Sequence, residues 1–171
     1  MPAAAPFAIR AAVPKDATGL IDLRRAIFGE SDFMLYAPEE YSDSVEAMSE
    51  RIDAFAQSVH SRMVLAYADS FPVGFLSAMG SDIPRRRHVA HVVVGVSRAY
   101  WGRGVGGAML SEALRWAPTA GISRLELGVM VDNLRAIELY QRHGFRIEGT
   151  RRRAYIVGGR TVDEHLMANV L

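Results

Sequence analysis

The chain has 171 residues, half of them hydrophobic and 23% charged, an ordinary globular balance that lets about two-thirds of the unfolded surface be buried. Lysine and arginine number 20 against 19 acidic residues, and the net charge of +1 gives no field that would draw the chain to nucleic acid or to an anionic membrane. There is no cysteine, which excludes disulfides, a thiolate nucleophile and cysteine-ligated metals, and fits a cytoplasmic protein.

Met1 to Phe7 lacks the charged start and long apolar core of a signal peptide, and the apolar runs are strand-sized, too short to cross a membrane. Phe7–Ala11 reads as a first strand. Pro14–Phe28 reads as a helix with Leu20, Ile21, Leu23 and Ile27 on its apolar face, Asp16 near its positive end and Gly29 as its stop. Glu30–Tyr41 is irregular, and Ser42 or Ser44 caps a second helix over Val45–Val59. Met63–Ala68 and Val73–Met79 read as hairpin strands about the turn Asp69-Ser70-Phe71-Pro72. After the Arg85-Arg86-Arg87 loop, His88–Ser97 is a central strand. Gly104–Ala117 is a helix, with Leu110, Ala113, Leu114 and Ala117 forming one stripe and Pro118 and Gly121 ending it. Leu125–Val129 is a strand. Asp132 or Asn133 then caps a helix over Leu134–Arg142 that stops at Gly144. Phe145–Ile156 and Thr161–Asn169 form a last strand pair turning at Gly158-Gly159. The order β-α-α-β-β-β-α-β-α-β-β, without repeat or linker, predicts one α/β (α+β) domain over residues 1–171 built on a mixed sheet.

The chemistry concentrates where the central strand meets the next helix. There the turn Trp101-Gly102-Arg103-Gly104-Val105-Gly106-Gly107 opens a helix, so backbone N–H groups and the helix dipole converge on one spot suited to a phosphate. Gly102-x-Gly104-x-x-Gly107 formally matches a dinucleotide fingerprint, with Glu126 about 20 residues on. Five residues, Ser97 to Trp101, separate the strand from the first glycine, which that fold does not allow. A P-loop fails too, because Gly106-Gly107-Ala108 offers neither lysine nor hydroxyl. The bland alternative is that the glycines only permit close packing of helix on strand.

Two segments together resemble the GCN5-related N-acetyltransferase (GNAT) superfamily. Val94 to Gly106 resembles its acetyl-CoA motif, Q/R-x-x-G-x-G/A at a strand end, with Trp101 standing where Gln or Arg is usual. Asn133-Leu134-Arg135-Ala136-Ile137-Glu138-Leu139-Tyr140-Gln141-Arg142-His143-Gly144-Phe145 resembles the second signature, N-x-x-A-x-x-L-Y-x-x-x-G-F. The tail, Glu148-Gly149-Thr150-Arg151 with Asp163-Glu164-His165-Leu166-Met167, is similar to acetyltransferases of small amines and L-amino acids, though related tails occur in ribosomal-protein and polyamine enzymes.

The resemblance implies a mostly antiparallel sheet flanked by helices, with a V-shaped gap between His91–Val96 and Arg124–Val129. Acetyl-CoA would be the acetyl donor, with no metal. Its pantetheine arm would pair with the backbone of Val94 and Val96. Its pyrophosphate would sit on Trp101, Gly102, Arg103, Gly104, Val105, Gly106 and Gly107, with Arg103 supplying the charge that Trp101 lacks. Asn133 would fix the arm and Arg142 would contact phosphate. Tyr140 would be the general acid, His91 the base and Glu126 a second candidate for that role. Tyr36, Glu39, Glu40 and Tyr155 join aromatic surface to acid, which suits a cationic amine. The triplets Arg85–Arg87 and Arg151–Arg153 read as solvated faces or as recruiters of a carboxylate-bearing substrate. The expected reaction is direct acetyl transfer to a small primary amine. Acetylation of protein N-termini, polyamines or antibiotics, and an acetyl-CoA-binding module without turnover, are the competing readings. The family's habit makes a homodimer an expectation as well.

Overall fold

The computed structural model describes residues 7–171. Seven strands form one sheet: β1 (Phe7–Ala11), β2 (Arg62–Ala68), β3 (Phe71–Met79), β4 (Val89–Val96), β5 (Arg124–Met130), β6 (Arg146–Val157) and β7 (Arg160–Val170). Their spatial order is β1-β2-β3-β4-β5-β7-β6, and only β4 and β5 run parallel. The helices are α1 (Ala17–Glu30), α2 (Val45–Gln57), α3 (Val105–Thr119) and α4 (Leu134–Arg142). No helix among the described residues is long and apolar enough to cross a membrane.

Neighbouring strand residues point to opposite faces, and the apolar pairs in β2 to β4 serve both. Val64, Leu76 and Val92 join one core with Met109 and Leu110 of α3 and Ile137 and Tyr140 of α4. Leu65 and Phe75, with Val93 against them, join the other with Leu20, Ile27 and Phe28 of α1 and Met48 and Ile52 of α2. The first core also takes in Leu125, Leu127 and Met167, whereas the second has no member from β5, β6 or β7. Helices α1 and α2 thus cover half of one sheet face and, among the described residues, leave the β5–β7–β6 half without a helix.

The elements depart from sequence expectation mainly at their ends. Pro14–Asp16 is a 3-10 turn and α1 begins at Ala17, because Asp16 turns inward instead of facing the helix end. Its buried carboxylate accepts from Arg10 at 2.7 and 2.8 Å, from Val13 N–H at 2.9 Å and from the Tyr67 hydroxyl at 2.9 Å. Helix α1 passes Gly29 by one residue, and Glu30 then accepts a bond from Arg98 N–H at 2.7 Å. Of the paired cap candidates, Ser44 and Asn133 serve, accepting from Ala47 N–H at 3.1 Å and Ala136 N–H at 3.2 Å. Helix α2 stops at Gln57, short of Val59, as Ser58 turns extended. Helix α3 includes Pro118, since a proline in the last turn removes one hydrogen bond without blocking the residue after it.

Candidate active site

The parallel pairing of β4 with β5 stops early. It joins Val89–His91 to Arg124–Glu126 and goes no further, although β4 runs to Val96 and β5 to Met130. Ser97 N–H bonds Val73 O at 3.0 Å, while His88 O accepts from Arg124 N–H at 3.1 Å. By the alternation of a strand's hydrogen bonds, odd residues of β4 face β3 and even residues face β5. Val94 and Val96 therefore aim main-chain groups into the gap where the strands part. The Val96 carbonyl already has a donor, the Trp101 indole Nε1, at 2.7 Å.

The glycines of the turn divide into two kinds. Gly102 and Gly104 have φ of 74° and 83°, a left-handed backbone that glycine adopts without strain, and a side chain at Gly104 would meet open space. A Cβ at Gly106 would instead lie 3.0 Å from Leu139 Cδ2, and one at Gly107 3.2 Å from His143 Cε1. These two let α3 approach α4, so close packing accounts for half of the glycine run. Gly104 caps α3 without a side chain, and the helix's first intrahelical bond runs from Ala108 N–H to Gly104 O at 2.9 Å. The N–H groups of Val105, Gly106 and Gly107 precede that ladder and have no helical acceptor.

Cations surround the turn. Arg98 and Arg135 lie over the Trp101 ring, 5.3 and 4.9 Å from its centre, and Arg103 lies 5.1 Å from that of Tyr100. Arg135 Nη2 is also 3.5 Å from where a Gly102 side chain would begin. Arg142, the expected phosphate contact, is exposed and paired with Glu138 at 2.6 Å. It stands seven residues, about 10 Å, farther along α4. The α4 cation beside the turn is therefore Arg135. Spacing alone could not choose between the two, because the choice depends on where α4 crosses α3.

Tyr140 is buried on α4, its ring 5.8 Å from that of Phe145, and burial pushes its phenol up to about 12. His91 and Glu126 are register partners at the last paired position of β4 and β5, on the face opposite α3. His91 is exposed. Burial pushes the Glu126 carboxyl up, but Arg124 and Arg86, each at 2.9 Å, outweigh it and hold the group below the ordinary carboxylate range. That makes Glu126 a weak proton acceptor.

The residues expected to meet the acceptor have different partners. Tyr36 leans on Phe28 at 6.2 Å and lines a hollow of about 320 Å³ with Arg24, Glu40, Tyr41, Asp43 and Arg51. Glu40 also accepts from Ala37 N–H at 2.8 Å, and Glu39 is exposed. Tyr155 belongs to neither the Tyr36 hollow nor α1–α2: it lies on β6 and donates to Glu164 of β7 at 2.7 Å. Burial first, then Glu164, pushes the Tyr155 phenol up to about 12. From the segment between α1 and α2, Asp32 and Phe33 are the residues that reach β5 and the β6–β7 turn, in a cavity of about 230 Å³.

Residues 28–145 match the model of the acetyltransferase (GNAT) family. The chain belongs to that family. A GNAT member on both sequence motifs and fold, it is an N-acetyltransferase built on the mostly antiparallel seven-stranded sheet. It is 36% identical over 110 residues to the L-amino acid N-acetyltransferase AaaT of Escherichia coli, covering 64% of this chain and 68% of that protein. The acetyltransferase of GNAT family from Streptococcus pneumoniae superposes with a TM-score of 0.94 at 32% identity, over 97% of this chain and 100% of that one. A GNAT superfamily phosphinothricin acetyltransferase from Sinorhizobium meliloti, solved in complex with AcCoA, shares the fold at a TM-score of 0.85 and 20% identity, over 96% of this chain and 88% of that one.

Proposed function

We propose that this GNAT enzyme transfers an acetyl group from acetyl-CoA directly to the primary amine of a small molecule, with L-amino acids and their analogues as the leading acceptor class. The observation that carries the reading is the gap beyond His91 and Glu126, flanked by the uncapped N-terminus of α3. A long donor with an amide-bearing arm and a diphosphate needs a strand-like edge and a cluster of free N–H groups. Val94 and Val96 offer the first, and Val105, Gly106 and Gly107 offer the second. Arg135 and Arg103 add positive charge beside that cluster, and the unused amide N–H₂ of Asn133 is free to bind the arm.

When bound, acetyl-CoA supplies an activated acyl carbon and a thiolate leaving group. The protein has to hold the amine neutral and close, and to hold a proton for the sulfur. Tyr140 keeps its phenolic proton throughout the neutral range, so it is the donor to the departing thiolate. His91, exposed at the apex of the gap, takes the amine's proton as the C–N bond forms and the C–S bond breaks. Glu126, held by two arginines, orients that end of the sheet.

The test is thiol release from acetyl-CoA across a panel of amino acids, polyamines and short peptides, with calorimetric titration of acetyl-CoA. Amine-dependent thiol release with a small amine as the best acceptor is the expected result. Tight donor binding with no turnover on any amine would make the chain a binding module instead.

A further inference from the structure

Glu164, part of the tail that resembles acetyltransferases of small amines, is a buried carboxylate. It is only 5% exposed, on β7, a strand that lies between β5 and β6. Its register partner is Met130 on β5 and Arg151 on β6. A bulge in β6 between Arg151 and Tyr155 lets both side chains close on it. Oε2 accepts from Arg151 at 3.0 Å and Oε1 from the Tyr155 hydroxyl at 2.7 Å. The carboxylate then extends across to Gly128, where a Cβ would collide with Oε1. Gly128 stands two residues past the last pairing of β5 with β4, on the wall of the gap and on the face shared with Glu126. Glycine there leaves room for a charge to lie directly over the strand.

The surroundings of this carboxylate are apolar on one side. Met130 and Val162 are buried yet belong to neither core. With Phe33 and Val157 they form the apolar part of the cavity of about 230 Å³, which Asp32, Gly158 and the pair Asp132–Arg160, 2.6 Å apart, also line. A buried negative charge beside an apolar hollow fits a molecule with one ammonium group and a hydrocarbon or aromatic body.

We propose that Glu164 binds the acceptor's ammonium at the edge of the gap, and that the apolar wall of Phe33, Met130, Val157 and Val162 takes the hydrocarbon or aromatic body of a single-amine substrate. The inference rests on the acetyl-transfer reading and narrows its acceptor. Arg151, 65% exposed at its side chain, is the cation that an incoming ammonium joins or displaces.

The experiment compares wild type with Glu164→Gln and Tyr155→Phe on leucine, phenylalanine, glycine and spermidine, reading KM for each substrate separately together with thermal stability. The expected result is a KM for leucine raised by at least about 10-fold in Glu164→Gln, with the KM for acetyl-CoA unchanged. Wild type would prefer leucine and phenylalanine to glycine and spermidine by at least about 10-fold in kcat/KM. If Glu164→Gln does not fold, this wild-type ranking decides alone. A merely structural clamp would lower stability in both variants without a selective change in the acceptor's KM, and that outcome overturns the proposal, as does a preference for spermidine. A wild type that acetylates no amine overturns the acetyl-transfer reading itself, whereas turnover with an indifferent Glu164→Gln removes only this inference.

Discussion

At Tyr140 two demands meet in one side chain. The ring is part of the core beneath α3 and α4, and in the proposed mechanism the hydroxyl gives up a proton during turnover. Burial serves both, because a phenol pushed up to about 12 stays protonated at neutral pH. Replacing Tyr140 with Phe keeps the packing and deletes the proton. Turnover is expected to fall by on the order of 10²-fold while the calorimetric Kd for acetyl-CoA holds steady. Arg135 answers a different question. Its guanidinium lies beside Trp101 and Gly102, so Arg135→Ala should weaken acetyl-CoA binding more than Arg142→Ala and flatten the salt dependence of Kd. Equal effects of the two substitutions would mean that the phosphates lie elsewhere along α4. Trp101 occupies a position where the family pattern has Gln or Arg, and it gains a structural task there, tying its indole to the Val96 carbonyl.

Helix α3 is the element on which donor binding depends in the proposed function. A helix of 15 residues with no acid in its first turn and no side-chain cap leaves its positive end for a ligand. Gly104→Val should test this directly. A β-branched residue forced to φ of 83° lowers stability by about 1–2 kcal/mol, which chemical denaturation would detect. Its side chain would also project into the open space above the turn, so acetyl-CoA affinity should drop by at least about 10-fold. Unaltered affinity would show that this turn does not hold the diphosphate. The elements themselves were readable from local pattern. Of the expected stripe of α3, Leu110, Ala113 and Ala117 are in the core and Leu114 packs against it partly buried. Helix ends were less readable, since Asp16 and Glu30 were drawn away by Arg10 and Arg98, partners that no local pattern names.

On the scale of the whole molecule, Asp16 links β1, the start of α1 and β2. The bond from Arg10 outweighs burial, and with Val13 and Tyr67 it lowers the carboxyl to about 2, against an ordinary 3.8. A group depressed on folding contributes stability above its unfolded value and loses it as pH falls through the folded one. The urea midpoint should therefore decline between pH 4 and pH 2, with Asp43, also held low by Arg51, acting in the same direction. Asp16→Asn should flatten that decline while lowering stability at neutral pH. The same scale explains the candidate site. The face of β5, β7 and β6 that α1 and α2 leave uncovered is where Glu164, Arg151 and Tyr155 gather, next to the gap that ends β4's pairing with β5.

Periodicity, caps and glycine spacing were enough, without coordinates, to determine the order of the elements, and the resemblance of two short motifs pointed to the family, because each depends on residues near one another along the chain. Tertiary structure alone decided that Tyr36 packs on Phe28 while Tyr155 pairs with Glu164, that Arg135 lies over Trp101 at the turn, and that Glu164 lies over Gly128. These follow from strand order and register. β7 inserts between β5 and β6, and a strand's local alternation says which of its residues share a face but not which strand will lie beside it.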